Sequence, residues 1–227
     1  MSFRAATYEG EHAVIGFIGG TGPEGRGLAL RFALAGEDVL IGSRELARAS
    51  EAAEGLASLA PSASVSGSLN ERVATDADTV FVTVPYSAHR DTLAELGPSL
   101  AGKTVVDVVA PLAFTKGRAR AVRVEAGSAA LEAQSLLPDA TVAAAFQTIS
   151  AHDLLEPNEP VDSDVIVCSD SREARRLVMD LAEMIEGIRA VDGGGLENAA
   201  YVESFTALLL NINRVYKARS AIRITGI

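Results

Sequence analysis

Directly behind a short apolar run, Ala13-Val14-Ile15-Gly16-Phe17-Ile18, the chain carries Gly20-Thr21-Gly22-Pro23-Glu24-Gly25, a G-x-G-x-x-G spacing that opens onto a helix-forming segment. Each glycine has its own physical task in that pattern. The first permits a tight turn, the second lets backbone approach a pyrophosphate, and the third allows close packing of helix on strand. Free N–H groups at the start of the following helix face the diphosphate, and the helix dipole adds to their attraction. Thr21 adds a hydroxyl donor, and Pro23 suits a loop or first-turn position, where its missing N–H removes one donor but its ring pre-sets φ. The strand–turn–helix context near the chain start makes the motif a dinucleotide-binding signal rather than a plain glycine turn.

The remaining pattern fits that assignment. Leu28, Leu30, Phe32 and Leu34 sit among small residues up to Gly36, which reads as a helix C-cap. A strand follows at 38–42, a helix at 44–59, a short strand at 64–65, a short helix at 69–74, a clear strand at 79–84, a helix at 87–96 and a strand at 104–109. Alternation of strands and helices at these intervals predicts an α/β fold, a Rossmann-type doubly wound, mostly parallel sheet with right-handed crossovers. After the strand at 141–146 the character changes. The stretch 150–164, with Pro157, Pro160 and several carboxylates, reads as a crossing loop. A strand at 165–168, a helix at 172–186, a short strand near 189–191 and a long apolar helix at 197–216 come after it. The division expected is a nucleotide-binding domain over 13–150 and a smaller C-terminal α/β lobe over 151–227, with the cofactor and acceptor cleft between them.

At the end of the second strand, where NAD-binding proteins usually place an acid against the ribose 2′-hydroxyl, the chain reads Ile41-Gly42-Ser43-Arg44. A hydroxyl and a guanidinium there suit a 2′-phosphate, because the planar fork of Arg44 pairs with phosphate oxygens and can stack on adenine. Arg48 lies four residues on, about one helical turn, within reach of the same phosphate. Glu45 and Glu51 read as solvent-facing. The expected nucleotide is therefore NADP(H).

A formal net charge of −10 excludes an extended nucleic-acid footprint, which needs clustered cations, and argues against an anionic membrane surface. No apolar run of 18 or more residues suggests a membrane span, and Met1 to His12 read as a polar tail, so a soluble cytoplasmic protein is the default expectation. The single cysteine, Cys168, lies in an apolar strand and reads as a buried structural thiol. His12, His89 and His152 are scattered, with no metal-ligand or acid–base constellation among them. His89 is expected on an exposed helix face, and for His152, just after Gln147 to Ala151, lining the cleft is the lesser of two readings. Asp107, inside a strand, is either a hydrogen-bonded structural group or a site group. Leu208, Leu209, Leu210 and Ile212 read as core or dimer contacts, and Asn211 and Asn213 interrupt them without an assignable role.

Gly19-Gly20-Thr21-Gly22-Pro23-Glu24-Gly25, Gly42-Ser43-Arg44, Thr83-Val84-Pro85, Gln147-Thr148-Ile149-Ser150-Ala151 and the helix from Val202-Glu203-Ser204 to Leu210-Asn211-Ile212 together resemble the NADPH-dependent reductases of coenzyme F420. The resemblance runs from about Val14 to Tyr216. It implies a homodimer that passes hydride between the nicotinamide C4 of NADP(H) and C5 of the deazaflavin. It further implies that Thr21, Gly22, Pro23 and Glu24 hold the diphosphate and that Ser43, Arg44 and Arg48 hold the 2′-phosphate. Val84, Ala110 and Ala151 fall where the family lines the cofactor cleft, and Gln147 and Ile149 where the deazaflavin binds. One departure stands out: Gln147 and Ser150 occupy positions where the resembled pattern has His and Pro. Gln147 can still offer a hydrogen bond to a ring carbonyl. A related oxidoreductase domain occurs in membrane ferric reductases, whereas no membrane span is expected in this chain.

Hydride transfer requires positioning, exclusion of water and charge stabilisation rather than a side-chain nucleophile or a metal. Two rival readings remain at this level: an NADPH-dependent reductase of a flavin or small carbonyl or imine compound, and a non-catalytic NADP(H) sensor.

Overall fold

The computed structural model describes residues 13–227. The expected tail from Met1 to His12 lies outside the described residues. β1 (Val14–Ile18) enters the glycine turn, and α1 (Pro23–Leu34) starts with its proline in the first turn. Gly36, at φ 96°, follows the end of that helix in the left-handed conformation. β2 (Asp38–Ser43), α2 (Leu46–Leu59), β3 (Val65–Leu69), α3 (Asn70–Asp76), β4 (Thr79–Val82), α4 (Tyr86–Leu100), β5 (Thr104–Asp107) and, after an excursion, β8 (Thr141–Ala144) complete the main sheet. All its pairings are parallel, in the order β3-β2-β1-β4-β5-β8. That is the Rossmann order, which makes the C-terminal ends of β1 and β4 the switch point where ligands bind.

The excursion between β5 and β8 was not visible in the sequence. It holds an antiparallel hairpin, β6 (Leu112–Thr115) with β7 (Arg118–Ala121), and α5 (Ala129–Leu136). Lys116 and Gly117 turn the hairpin with φ of 50° and 72°, the double left-handed geometry of a two-residue connection. Arg118-Ala119-Arg120-Ala121 has little strand propensity of its own, so the hairpin depends on a tertiary clamp: the Asn211 side chain accepts from Ala119 N (3.1 Å) and donates to Ala119 O (2.8 Å). This assigns Asn211. Asn213 accepts from the backbone N–H of Ser220 at 2.6 Å and ties down the chain beyond the last helix.

The expected crossing loop contains a short helix, α6 (Ala151–Leu154), capped by Ser150, whose hydroxyl accepts from Asp153 N. β9 (Ser163–Val167) and β10 (Ile188–Asp192) form a separate two-stranded parallel sheet joined by α7 (Arg172–Glu183), and α8 (Ala199–Tyr216) closes the chain's regular structure. Phe17, Phe32, Phe81 and Phe146 cluster on one side of the main sheet with centroids 5.1–6.4 Å apart. Val165, Val178 and Ile185 join the same buried cluster. Burial of such large side chains contributes about 1.5–3 kcal/mol each. Cys168 is fully buried, and burial pushes its thiol up to about 11, as an inert structural group.

Candidate functional site

The three glycines of the turn differ as their spacing predicts. A Cβ on Gly20 would lie 2.7 Å from Phe17 Cβ, and one on Gly25 would lie 2.7 Å from both Gly20 Cα and Thr83 Oγ1. These two positions are closed by the turn and by helix-on-strand packing. A Cβ on Gly22 would meet only Gly19 O, at 4.0 Å. The middle glycine therefore opens onto free space over the helix start, the cradle a diphosphate needs. Thr21 and Pro23 flank it, and Gly19, at φ 73°, brings the turn against Val84, whose Cγ1 would lie 2.5 Å from an added Cβ.

Ser43 and Arg44 stand beside this turn at the end of β2. With Leu69, Asn70, Glu71, Thr92, Glu95 and Leu96 they line a cavity of about 200 Å³. Ser43 is buried, and its hydroxyl accepts from Glu45 N at 3.2 Å. Arg44 is exposed and makes no ion pair among the described residues, so its guanidinium is free for an anion. Arg48, on the first turns of α2, is largely exposed and 3.9 Å from Glu45. Glu45 and Glu51 face solvent as expected.

Glu24, in the first turn of α1, places its Oε1 out of contact with solvent and without a hydrogen-bond partner. Burial pushes its carboxyl up to about 8, so it is mostly neutral at pH 7. A neutral carboxyl can adjoin a diphosphate without repelling it.

The other strand ends supply the rest of the cleft. Phe146, left-handed at φ 71°, turns the chain sharply out of β8 and delivers buried Gln147 and Ile149. Gln147 Nε2 donates to the Asp107 carbonyl at 2.9 Å, and the Gln147 carbonyl accepts from Thr206 Oγ1 at 2.9 Å. The side-chain atom left without a partner is the acceptor Oε1, not the donor on which the sequence reading relied. Ala110 follows β5, half-buried, and Ala151 opens α6. Arg31 of α1 donates to the carbonyls of Leu154 (2.8 Å), Asp153 (2.5 Å) and Glu156 (2.6 Å), which locks α6 onto α1. Packing is tight there: a Cβ on Gly27 would sit 2.6 Å from Leu154 Cβ.

His89 is not on an exposed face. It is fully buried, with Nε2 2.7 Å from Asp107 Oδ2 and Nδ1 3.4 Å from Glu132 Oε2. Glu132 in turn accepts from Arg90 at 2.5 Å. Burial disfavours the imidazolium, but the hydrogen bond and charge of Asp107, with Glu132 behind, outweigh it and raise the His89 pKa. Asp107 is thus a buried, hydrogen-bonded group, its Oδ1 accepting from Val109 N at 2.9 Å. Glu203 of α8 accepts from Ala129 N (2.9 Å) and Ala130 N (3.1 Å) at the start of α5. Burial lifts Glu203 to about 7 against those two donors. His152 is exposed, next to Arg219 and 3.6 Å from Glu156.

Every residue singled out in the sequence for cofactor binding therefore sits at or just beyond the C-terminal edge of the main sheet. Asn70, Glu132, Glu203 and Thr206 were missed. Glu203 carried a signal as part of the Val202-Glu203-Ser204 motif, whereas Asn70 lay inside the helix expected at 69–74 and carried none. Among the described residues no cluster of three or more potential metal ligands exists, and no helix is long and apolar enough to cross a membrane.

A parallel sheet in Rossmann order, an open glycine cradle at its switch point and a Ser–Arg pair at the end of β2 define a Rossmann-type dinucleotide-binding protein. The family model described as NADP oxidoreductase coenzyme F420-dependent matches residues 14–111. The F420-dependent NADP reductase of Methanothermobacter thermautotrophicus is 45% identical over 220 residues, covering 94% of this chain and 95% of the relative. The chain belongs to the F420-dependent NADP oxidoreductase family. Rat metalloreductase STEAP3 is 30% identical over 84% of this chain but only 36% of its own length. A solved structure from Arthrobacter sp. FB24 shares the fold with a TM-score of 0.79 at 22% identity, covering 95% of this chain and all of that one.

Proposed function

We propose that the protein is an oxidoreductase that moves a hydride between NADP(H) and the deazaflavin coenzyme F420. The observation that carries this is the open Gly22 cradle beside the Ser43–Arg44 pair, in a chain that belongs to this family along its whole fold. Thr21, Gly22, Pro23 and Glu24 hold the diphosphate, and Ser43, Arg44 and Arg48 hold the 2′-phosphate. Val84, Ala110 and Ala151 line the path of the nicotinamide half, and Gln147 and Ile149 face the deazaflavin. When bound, the two coenzymes supply the donor and acceptor of the hydride. The chain's own part is to fix their separation, exclude water with the buried Gln147–Ile149 segment and present neutral or positive groups to the phosphates. The nucleotide belongs to residues 13–150, and the acceptor to the cleft they form with 151–227.

We further propose a cytoplasmic homodimer. Tyr201, Phe205, Leu208 and Val215 recur at helical spacing on α8 and are exposed, an apolar stripe suited to a second copy.

The test is to mix the protein with NADPH and oxidised F420 and follow loss of the deazaflavin's visible absorption, with a flavin and a small imine as comparison acceptors. Turnover with F420 is expected. Bound NADPH with no F420 turnover overturns the reading. Sedimentation of wild type and Leu208→Glu tests the dimer, which the variant should split.

A further inference from the structure

The Gly42-Ser43-Arg44 motif contains a glycine that phosphate recognition does not explain. A Cβ on Gly42 would lie 2.6 Å from Asn70 Oδ1 and 2.8 Å from Phe17 O. The absent side chain makes room for the Asn70 amide, which passes the end of β2 to reach the glycine turn. There Asn70 Oδ1 accepts from Gly19 N at 3.1 Å, across 51 residues of sequence. A similar allowance lies behind it: a Cβ on Gly16 would meet Ala77 Cβ at 2.6 Å and Val73 Cγ1 at 2.7 Å, so α3 can press onto β1.

The Gly19 contact fixes the amide's orientation, because a backbone N–H needs the oxygen. The Nδ2 end must then point away from the turn. It has no acceptor among the described residues, is not enclosed, and belongs to a residue lining the 200 Å³ cavity with Ser43 and Arg44. Glu71 and Glu95 also border this cavity. A neutral amide donor therefore adds phosphate affinity where another acid would remove it.

We propose that Asn70 bridges the two halves of the nucleotide site: Oδ1 holds the diphosphate turn through Gly19, and Nδ2 donates to the phosphorylated adenosine end beside Ser43 and Arg44. The proposal rests on the NADP(H) reading of the site and adds a specificity residue to it. One side chain thus reaches from the diphosphate turn, which it holds through Gly19, to the cavity beside Ser43 and Arg44.

Adenosine 2′,5′-bisphosphate, which carries this end of the dinucleotide and no nicotinamide, is the probe, with affinity read by calorimetry and fold stability by thermal melting. Asn70→Asp keeps the acceptor for Gly19 and replaces the donor, whereas Asn70→Ala removes both. Asn70→Asp is expected to melt near wild type yet bind the bisphosphate at least about tenfold more weakly, the scale of one charge-assisted hydrogen bond. The ratio should persist in about 1 M salt, where screening shortens to about 3 Å and through-space repulsion fades. Asn70→Ala should lose both affinity and melting temperature. Asn70→Asp binding within twofold of wild type, or a loss that vanishes in high salt, overturns the donor role and leaves the NADP(H) reading standing. Wild-type protein that does not bind the bisphosphate overturns both.

Discussion

His89 Nε2 lies 2.7 Å from Asp107 Oδ2, with both side chains sealed from solvent beneath the end of β5. Because the same Asp107 receives the Gln147 amide on its backbone carbonyl, this buried pair supports the segment proposed to face the deazaflavin. The raised pKa of His89 fixes the sign of its linkage: its contribution is fully present below its unfolded value and is lost as pH rises through the higher folded value. His89→Gln should therefore destabilise the protein most in mildly acidic buffer, and the gap to wild type should narrow toward alkaline pH. Chemical denaturation of both proteins across that range checks it. A gap that widens with pH would reverse the assignment.

Gly22→Ala and Gly25→Ala make a contrasting pair. The first adds a methyl to open space and should leave the melting temperature nearly unchanged while sharply weakening NADPH binding. The second drives a methyl to 2.7 Å from Gly20 Cα and Thr83 Oγ1 and should destabilise the fold by about 1–3 kcal/mol through overpacking. Melting curves and nucleotide titrations on the two variants read the difference directly.

Arg44→Ala should cost NADPH binding about 1.5–3 kcal/mol, the worth of a hydrogen bond to a charged group, and affect NADH far less. Arg48, largely exposed and close to Glu45, should show a smaller effect of the same sign. Equal losses for both nucleotides in a binding titration would remove the 2′-phosphate from these residues.

For Glu24, burial raises the carboxyl to about 8, so the folded state retains a proton that the unfolded chain releases near 4.5. Its contribution to stability is thus present below pH 4.5 and lost as pH climbs through about 8. Glu24→Gln should flatten that part of the stability profile and hold NADPH affinity at alkaline pH, where wild type weakens as the carboxylate charges. Paired titrations at neutral pH and well above the Glu24 value test it.

Local chemistry decided how much could be read in advance. β1, the glycine turn and the Ser43–Arg44 end of β2 were legible because each rests on residues adjacent in sequence, with glycine spacing dictating backbone shape. The β6–β7 hairpin was not, since Arg118 to Ala121 becomes a strand only when Asn211, 92 residues away, completes its hydrogen bonds. His89 misled for the same reason: Ser87, Arg90 and Asp91 make its surroundings look wet, and the partners that justify burying it, Asp107 and Glu132, come from other elements. The helix around it also ran past the expected stop, because Pro98 is accommodated within α4. Gln147 lies three residues beyond β8, which stops at Ala144 short of the expected 146, and which end of its amide stays free depended on a carbonyl 40 residues earlier.

Arg31 has an architectural consequence. Its guanidinium rivets three carbonyls of the α6 region to α1, so those two parts travel as a single jaw. Breathing motions measured in this molecule should therefore carry α1 and α6 together rather than part them.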